Sequence, residues 1–169
     1  MTFKENSFVV AQGLVAFRCY IGAFFCLWIM LSQIAQFLSY APRNKVAFIP
    51  REDPHLKTID VGFELSNCIK NDLTSPYLPM VAEDALKKIF AENLTNNEII
   101  GDYVALTNWG ILFEPALQLN LLSLFENNSK SNTLILVNCG VADSDTFHLV
   151  SKHFNTQFPL GQLLPYVIK

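Results

Sequence analysis

The stretch from Asp102 to Asn138, DYVALTNWGILFEPALQLNLLSLFENNSKSNTLILVN, decides how the chain folds. It opens on DYVALT (102–107), whose apolar run from Tyr103 to Leu106 is the pattern of a strand buried on both faces. PALQLNLLSLF (115–125) carries leucines at helical spacing. Pro115 stands at its head, where the missing N–H does no harm, so the pattern predicts a helix over 115–125. NNSKSN (127–132) is a polar turn, and TLILVN (133–138) is a second continuous apolar strand. A helix linking two strands that are apolar throughout is the repeating unit of a parallel sheet.

The same alternation extends outward. KVAFI (45–49) reads as a buried strand, PREDPH as a loop, TIDV (58–61) as a short strand and FELSNCIK (63–70) as a helix. Pro76 and Pro79 mark 74–79 as a loop. MVAEDALKKIFAENL (80–94) is the clearest amphipathic helix. Its apolar residues stand at 81, 85, 86, 89, 90 and 94, with Glu83, Lys87 and Lys88 on the wet face. LLPYVI (163–168) closes the fold as a strand that Pro165 confines to an edge. The expected class is α/β, a mainly parallel sheet flanked by helices over 42–169, preceded by an apolar N-terminal helix within 1–41.

Composition bounds the function. With 169 residues, 51% hydrophobic and 16% charged, the chain is one domain with a real core and is not disordered. A net charge of −3 gives no basic footprint for nucleic acid, and Lys87-Lys88 is a solvated helix face. The four cysteines (Cys19, Cys26, Cys68, Cys139) form no CxxC pair, which argues against both a disulfide scaffold and a zinc knuckle. The histidines form no HExxH. His148 and His153 stand near Asp143 and Asp145 in what reads as a polar surface loop without metal-ligand spacing. Cys139 before Gly140 reads as a buried thiol, and no serine sits in a G-x-S-x-G elbow. Trp109 suits either a stacking surface or the core. Asn93-Leu94-Thr95 and Asn127-Asn128-Ser129 match the glycosylation triplet, which matters only for an extracellular body.

Residues 8–40 differ from the rest. From Cys19 to Leu38 the chain is uncharged, and about 20 mostly apolar residues are what a single membrane span needs. Three readings stand: a membrane anchor with a slight lean to a cytoplasmic body, a secretory leader without a clean small-x-small cleavage site, and an extension ahead of an internal start at Met30. From Met30 onward, MLSQIAQFLSYAPRNKVAFIP reads as an amphipathic helix, a proline stop and a strand.

In an α/β protein, ligands bind at the carboxyl ends of the strands, so the loop after the first strand is the first place for chemistry. A phosphate-binding loop, GxxxxGK[ST], wraps phosphates in backbone N–H groups freed by its glycines. Its Lys neutralises charge and its hydroxyl holds Mg²⁺. Here the eight positions are Arg51-Glu52-Asp53-Pro54-His55-Leu56-Lys57-Thr58. Lys57 and Thr58 occupy the Lys and Ser/Thr places. Arg51 and Leu56 occupy the glycine places, Glu52 and Asp53 add negative charge, and Pro54 removes a donor.

Further along, Leu112-Phe113-Glu114-Pro115, the leucines at 117, 119, 121 and 122, Ser129-Lys130 and the strand end from Val137 to Gly140 resemble the P-loop protein of type 3 BREX phage-defence systems, the BrxF family. IDVGFELSNCI (59–69) resembles the segment that follows the family's phosphate loop. The likeness covers roughly 31–140 and is weighted to 103–140. It implies P-loop NTPase-like topology and a place in anti-phage defence. The positions that align with an NTPase's metal-organising Asp and water-orienting Glu are Thr107 and Gly110, and neither side chain can do that work.

The expectation is therefore a cytoplasmic accessory protein of a BREX-type system. It is a degenerate P-loop domain acting through protein–protein contact, with no catalytic residues and no metal. Lys57 and Thr58 are its residual phosphate and Mg positions toward ATP. Two alternatives accompany it: a divergent ATPase using Lys57 and Thr58 with Glu114 or Asp60 as acid, and a membrane-anchored interaction protein.

Overall fold

The computed structural model describes residues 30–137, 141–142, 146–150, 155–159 and 165–168, of which 141–142, 146–150 and 155–159 are described by their backbone alone. Helix α1 covers the described residues 30–39. After it come β1 (Val46–Ile49), β2 (Thr58–Asp60), α2 (Val61–Ile69), α3 (Leu78–Glu92), β3 (Thr95–Asn97) and β4 (Gly101–Thr107). Two 3₁₀ turns (Trp109–Phe113 and Pro115–Leu117) lead to α4 (Leu121–Ser129) and β5 (Thr133–Val137). A three-stranded antiparallel sheet follows, β6 (Val141–Ala142), β7 (Thr146–Val150) and β8 (Asn155–Pro159), and then β9 (Tyr166–Val167).

The main sheet has the order β2-β4-β5-β1-β9, parallel throughout, with β3 antiparallel to the start of β4. It is the α/β frame that the alternation of apolar runs predicts. The strands obey a period of two. Val46, Phe48, Val104, Leu106, Leu134 and Leu136 face one layer, with α2, α3, both 3₁₀ turns and α4. Ala47, Ile49, Tyr103, Ala105, Ile135 and Val137 face the other, with Met30, Leu31 and Ile34 of α1. Both faces are dry, which is why these strands read as unbroken apolar runs. Phe37 of α1 stacks on Tyr166 of β9 at 5.3 Å, so residues 30–39 share the core of the sheet across the boundary drawn after residue 41.

Several elements differ from expectation. Residues 115–125 are not one helix. Pro115–Leu117 is a 3₁₀ turn, Gln118 turns left-handed at φ 46°, and α4 begins only after Asn120, whose side chain accepts from the Ser123 N–H at 3.1 Å. The polar run after it stays helical as far as Ser129, which is fully buried. Helix α3 begins two residues early, at Leu78, because Pro79 fits its first turn. β3 and the antiparallel sheet have no counterpart in the apolar pattern: they are short and polar or mixed in composition. Pro165 precedes β9, which lies at the sheet edge.

The Lys87-Lys88 face is a solvated one. Lys87 pairs with Glu83 at 2.9 Å and Asp84 at 3.4 Å, which hold its ammonium above the usual lysine value, and Lys88 lies 3.8 Å from Glu92. Among the described residues no helix is long and apolar enough to cross a membrane, and residues 8–29 lie outside them.

Candidate functional site

The pairing register sets Ile49, Val137, Thr107 and Asp60 in one row at the carboxyl end of the sheet. Between β1 and β2 the chain has eight residues, 50–57, to pass β5 and β4 and return to the start of β2. Three strand spacings make about 14 Å and the return about 7–10 Å. An eight-residue helix is only about 12 Å long, whereas the same residues extended reach roughly 26 Å. The link therefore has no length for a helix and crosses as a loop with one turn, in which the Leu56 N–H donates to the Asp53 carbonyl at 2.9 Å. It passes over the α1 face: Leu56 is buried with Ala47, Tyr103 and Ala105, and the Lys57 N–H donates to the Tyr103 hydroxyl at 2.8 Å. The connections through α2, α3 and α4 run the other way across the sheet on the opposite face. A reversal of direction with a change of face is what one crossover hand requires.

This path decides the setting of Lys57 and Thr58. A phosphate loop presents its Lys and hydroxyl at the start of a helix, where free N–H groups and the helix dipole meet the anion. Here Thr58 is the first residue of β2, paired with Ala105, two residues below the carboxyl row and three strands from β1. Lys57 is exposed and Thr58 half-buried. The link from Arg51 to Thr58 thus forms no strand–loop–helix cradle.

Of the acids offered as partners, Asp60 ends the same strand that Thr58 begins but is engaged elsewhere, and Glu114 lies on another element. The Asp60 carboxylate Oδ1 accepts from the Phe63 N–H at 2.8 Å, capping α2, and from the Asn108 side-chain amide at 3.0 Å. Glu114 sits between the two 3₁₀ turns, across the sheet from the crossing link. Thr107 Oγ1 donates to the Ile59 carbonyl at 3.1 Å, and Gly110 lies within the first 3₁₀ turn.

At the carboxyl end of β5 the first layer is filled by Trp109. It is 1% exposed, packs on Phe48, Phe113 and Phe125, and donates its Nε1–H to the Val137 carbonyl at 3.3 Å. Of its two expected settings the structure selects the core. His148 falls on β7 by its backbone, while Cys139, Asp143, Asp145 and His153 lie outside the described residues. Among the described residues no group of three His, Cys, Asp or Glu could hold a metal.

Two features escaped the sequence. The first is Asp53, 2% exposed in the crossing link: Oδ1 accepts from the His55 N–H at 2.9 Å and Oδ2 has no donor among the described residues. Nothing in the sequence marks it, because a carboxylate between Glu52 and Pro54 reads as solvated. The second is an open groove of about 390 Å³ between α2 and the 3₁₀ turns, lined by Ile69, Leu73, Leu78, Ile111 and Leu117 with Lys70 and Glu114 at its walls. Its apolar residues come from four elements, so no single periodicity announces it. No family model, curated protein or solved structure matches the chain.

Proposed function

We propose that this chain is a P-loop-like α/β domain that has given up nucleotide chemistry, and that it serves as an accessory protein of a BREX-type defence system through contact with other proteins. The observation that carries the first part is the crossing link. It runs from β1 to β2 without a helix, so Lys57 and Thr58 stand at a strand start with no glycine cradle, and α2 begins only after that strand, at Val61. Phosphoryl transfer depends on positioning and electrostatics, and a lysine without a glycine cradle supports the reading that positioning has been lost. The topology reading rests on the inner position of β1, whose carboxyl end lies beside that of β5, the kind of crevice at which open parallel sheets take ligands. The defence context rests on the likeness in 103–140. The domain works in the cytoplasm in this reading.

The test is thermal stability against Mg-ATP, with ATP turnover measured in parallel. The parent and Lys57→Ala are expected to melt together at every nucleotide concentration and to release no phosphate above background. A melting point that rises with Mg-ATP in the parent and not in Lys57→Ala overturns the loss of nucleotide binding. For the defence role, deleting the gene from a host carrying a complete system is expected to restore phage plating, and Lys57→Ala is expected to protect like the parent.

A further inference from the structure

Seven large apolar side chains stand exposed among the described residues, and four of them, Phe63, Leu73, Tyr77 and Met80, fall between the start of α2 and the first turn of α3. Scattered singly, exposed apolar residues mean little, but grouped ones mark contact surfaces. One of them, Leu73, 61% exposed, lines the groove of about 390 Å³, and Phe63 stands one helical turn before Ser66 of the same groove. The groove also holds one cation and one anion. Lys70 and Glu114 line the same space, yet neither joins an ion pair among the described residues.

We propose that this face is where two copies of the chain associate about a two-fold axis. In such an interface a residue that meets another is met by it in return. Lys70 of each copy then faces Glu114 of the other, making two ion pairs from one surface, while Leu73 of each copy enters the other's groove. A partner carrying charge of one sign leaves Lys70 or Glu114 buried and unpaired, which is costly. A second copy satisfies both by symmetry. The inference goes beyond the defence reading and stands without it, since it needs only the purified chain.

Sedimentation equilibrium of the full chain tests it, over concentrations on the order of 1–100 μM. The parent is expected to show a monomer–dimer equilibrium that weakens with salt. Lys70→Glu sets like charges together twice and is expected to raise the dissociation constant on the order of 100-fold, with Glu114→Lys doing the same. The double variant Lys70→Glu/Glu114→Lys restores both pairs with their signs exchanged and is expected to return the constant to within about tenfold of the parent. Leu73→Asp, an exposed site that alters neither charge, is expected to give monomer with an unchanged circular dichroism spectrum. A parent that stays monomeric across the range overturns the proposal, as does a dimer that Lys70→Glu leaves intact or a loss that the double variant fails to rescue. A monomeric parent whose groove captures an unrelated protein overturns it equally.

Discussion

Asp53 buries a carboxylate in the crossing link and, among the described residues, has the His55 N–H as donor to Oδ1 and none to Oδ2. A buried charge that lacks hydrogen bonds works against folding, so this residue is a cost carried by the link. Asp53→Asn keeps an oxygen for His55 and removes the charge. It is expected to raise stability at pH 7 by about 1 kcal/mol, read as a shift of the urea midpoint at constant slope. Gly62 is constrained from the other direction. A Cβ there would lie 2.5 Å from Asn108 Nδ2 and 2.9 Å from the Asn108 carbonyl oxygen. Asn108 is itself held left-handed at φ 50° with its amide on Asp60. Backbone cannot yield as a flexible side chain would, so Gly62→Ala is expected to cost about 1–3 kcal/mol by thermal melting. Neither the Asp nor the Gly is distinguished in the sequence by spacing or neighbours, because what constrains each is a group distant along the chain or the burial of its surroundings.

Short elements are settled by their ends. α2 has nine residues, and Asp60 caps it while also tying β2 to the residue after β4. Removing that carboxylate frees a helix N–H and the Asn108 amide at once. Asp60→Ala is expected to lose about 1–2 kcal/mol in a denaturant titration, and Asp60→Asn to recover much of it, since Asn also caps well. A functional role as a catalytic acid predicts the opposite order of importance, with turnover affected before stability. The segment 115–125 shows why leucine spacing misplaced a helix. Its leucines at 117 and 121 are both buried, as one continuous helix would bury them. The chain nevertheless breaks at Gln118 and restarts at the Asn120 cap. Periodicity reports which side chains are buried, and two short turns in series can bury the same set as one helix. α3 was legible because its 15 residues repeat the pattern over four turns, burying Leu78, Ala82, Leu86, Ile89 and Phe90.

Over the whole molecule, the link from residue 50 to 57 governs what the carboxyl edge of the sheet can do. Its anchor is the bond from the Lys57 N–H to the Tyr103 hydroxyl, with Tyr103 2% exposed. Tyr103→Phe leaves that N–H without its partner and is expected to cost about 1 kcal/mol. Hydrogen exchange is expected to quicken at Lys57 and Leu56 first, which locates the loss in the crossing and not in the helices.

From the residues alone came the alternation of apolar runs, and with it a parallel sheet with two dry faces. Those runs are local, and burial on both sides imposes them on any strand in such a place. The loss of both glycines between Arg51 and Thr58 was equally local. Tertiary structure decided the rest: that β2 lies three strands from β1, that the Lys-Thr pair therefore starts a strand on the far side of the sheet, that Trp109 fills the core, and that Lys70 and Glu114 share one groove. Each of these depends on strand order and on contacts between residues distant in the chain. A periodicity of two or 3.6 specifies a face without specifying its neighbour, and so carries no information about either.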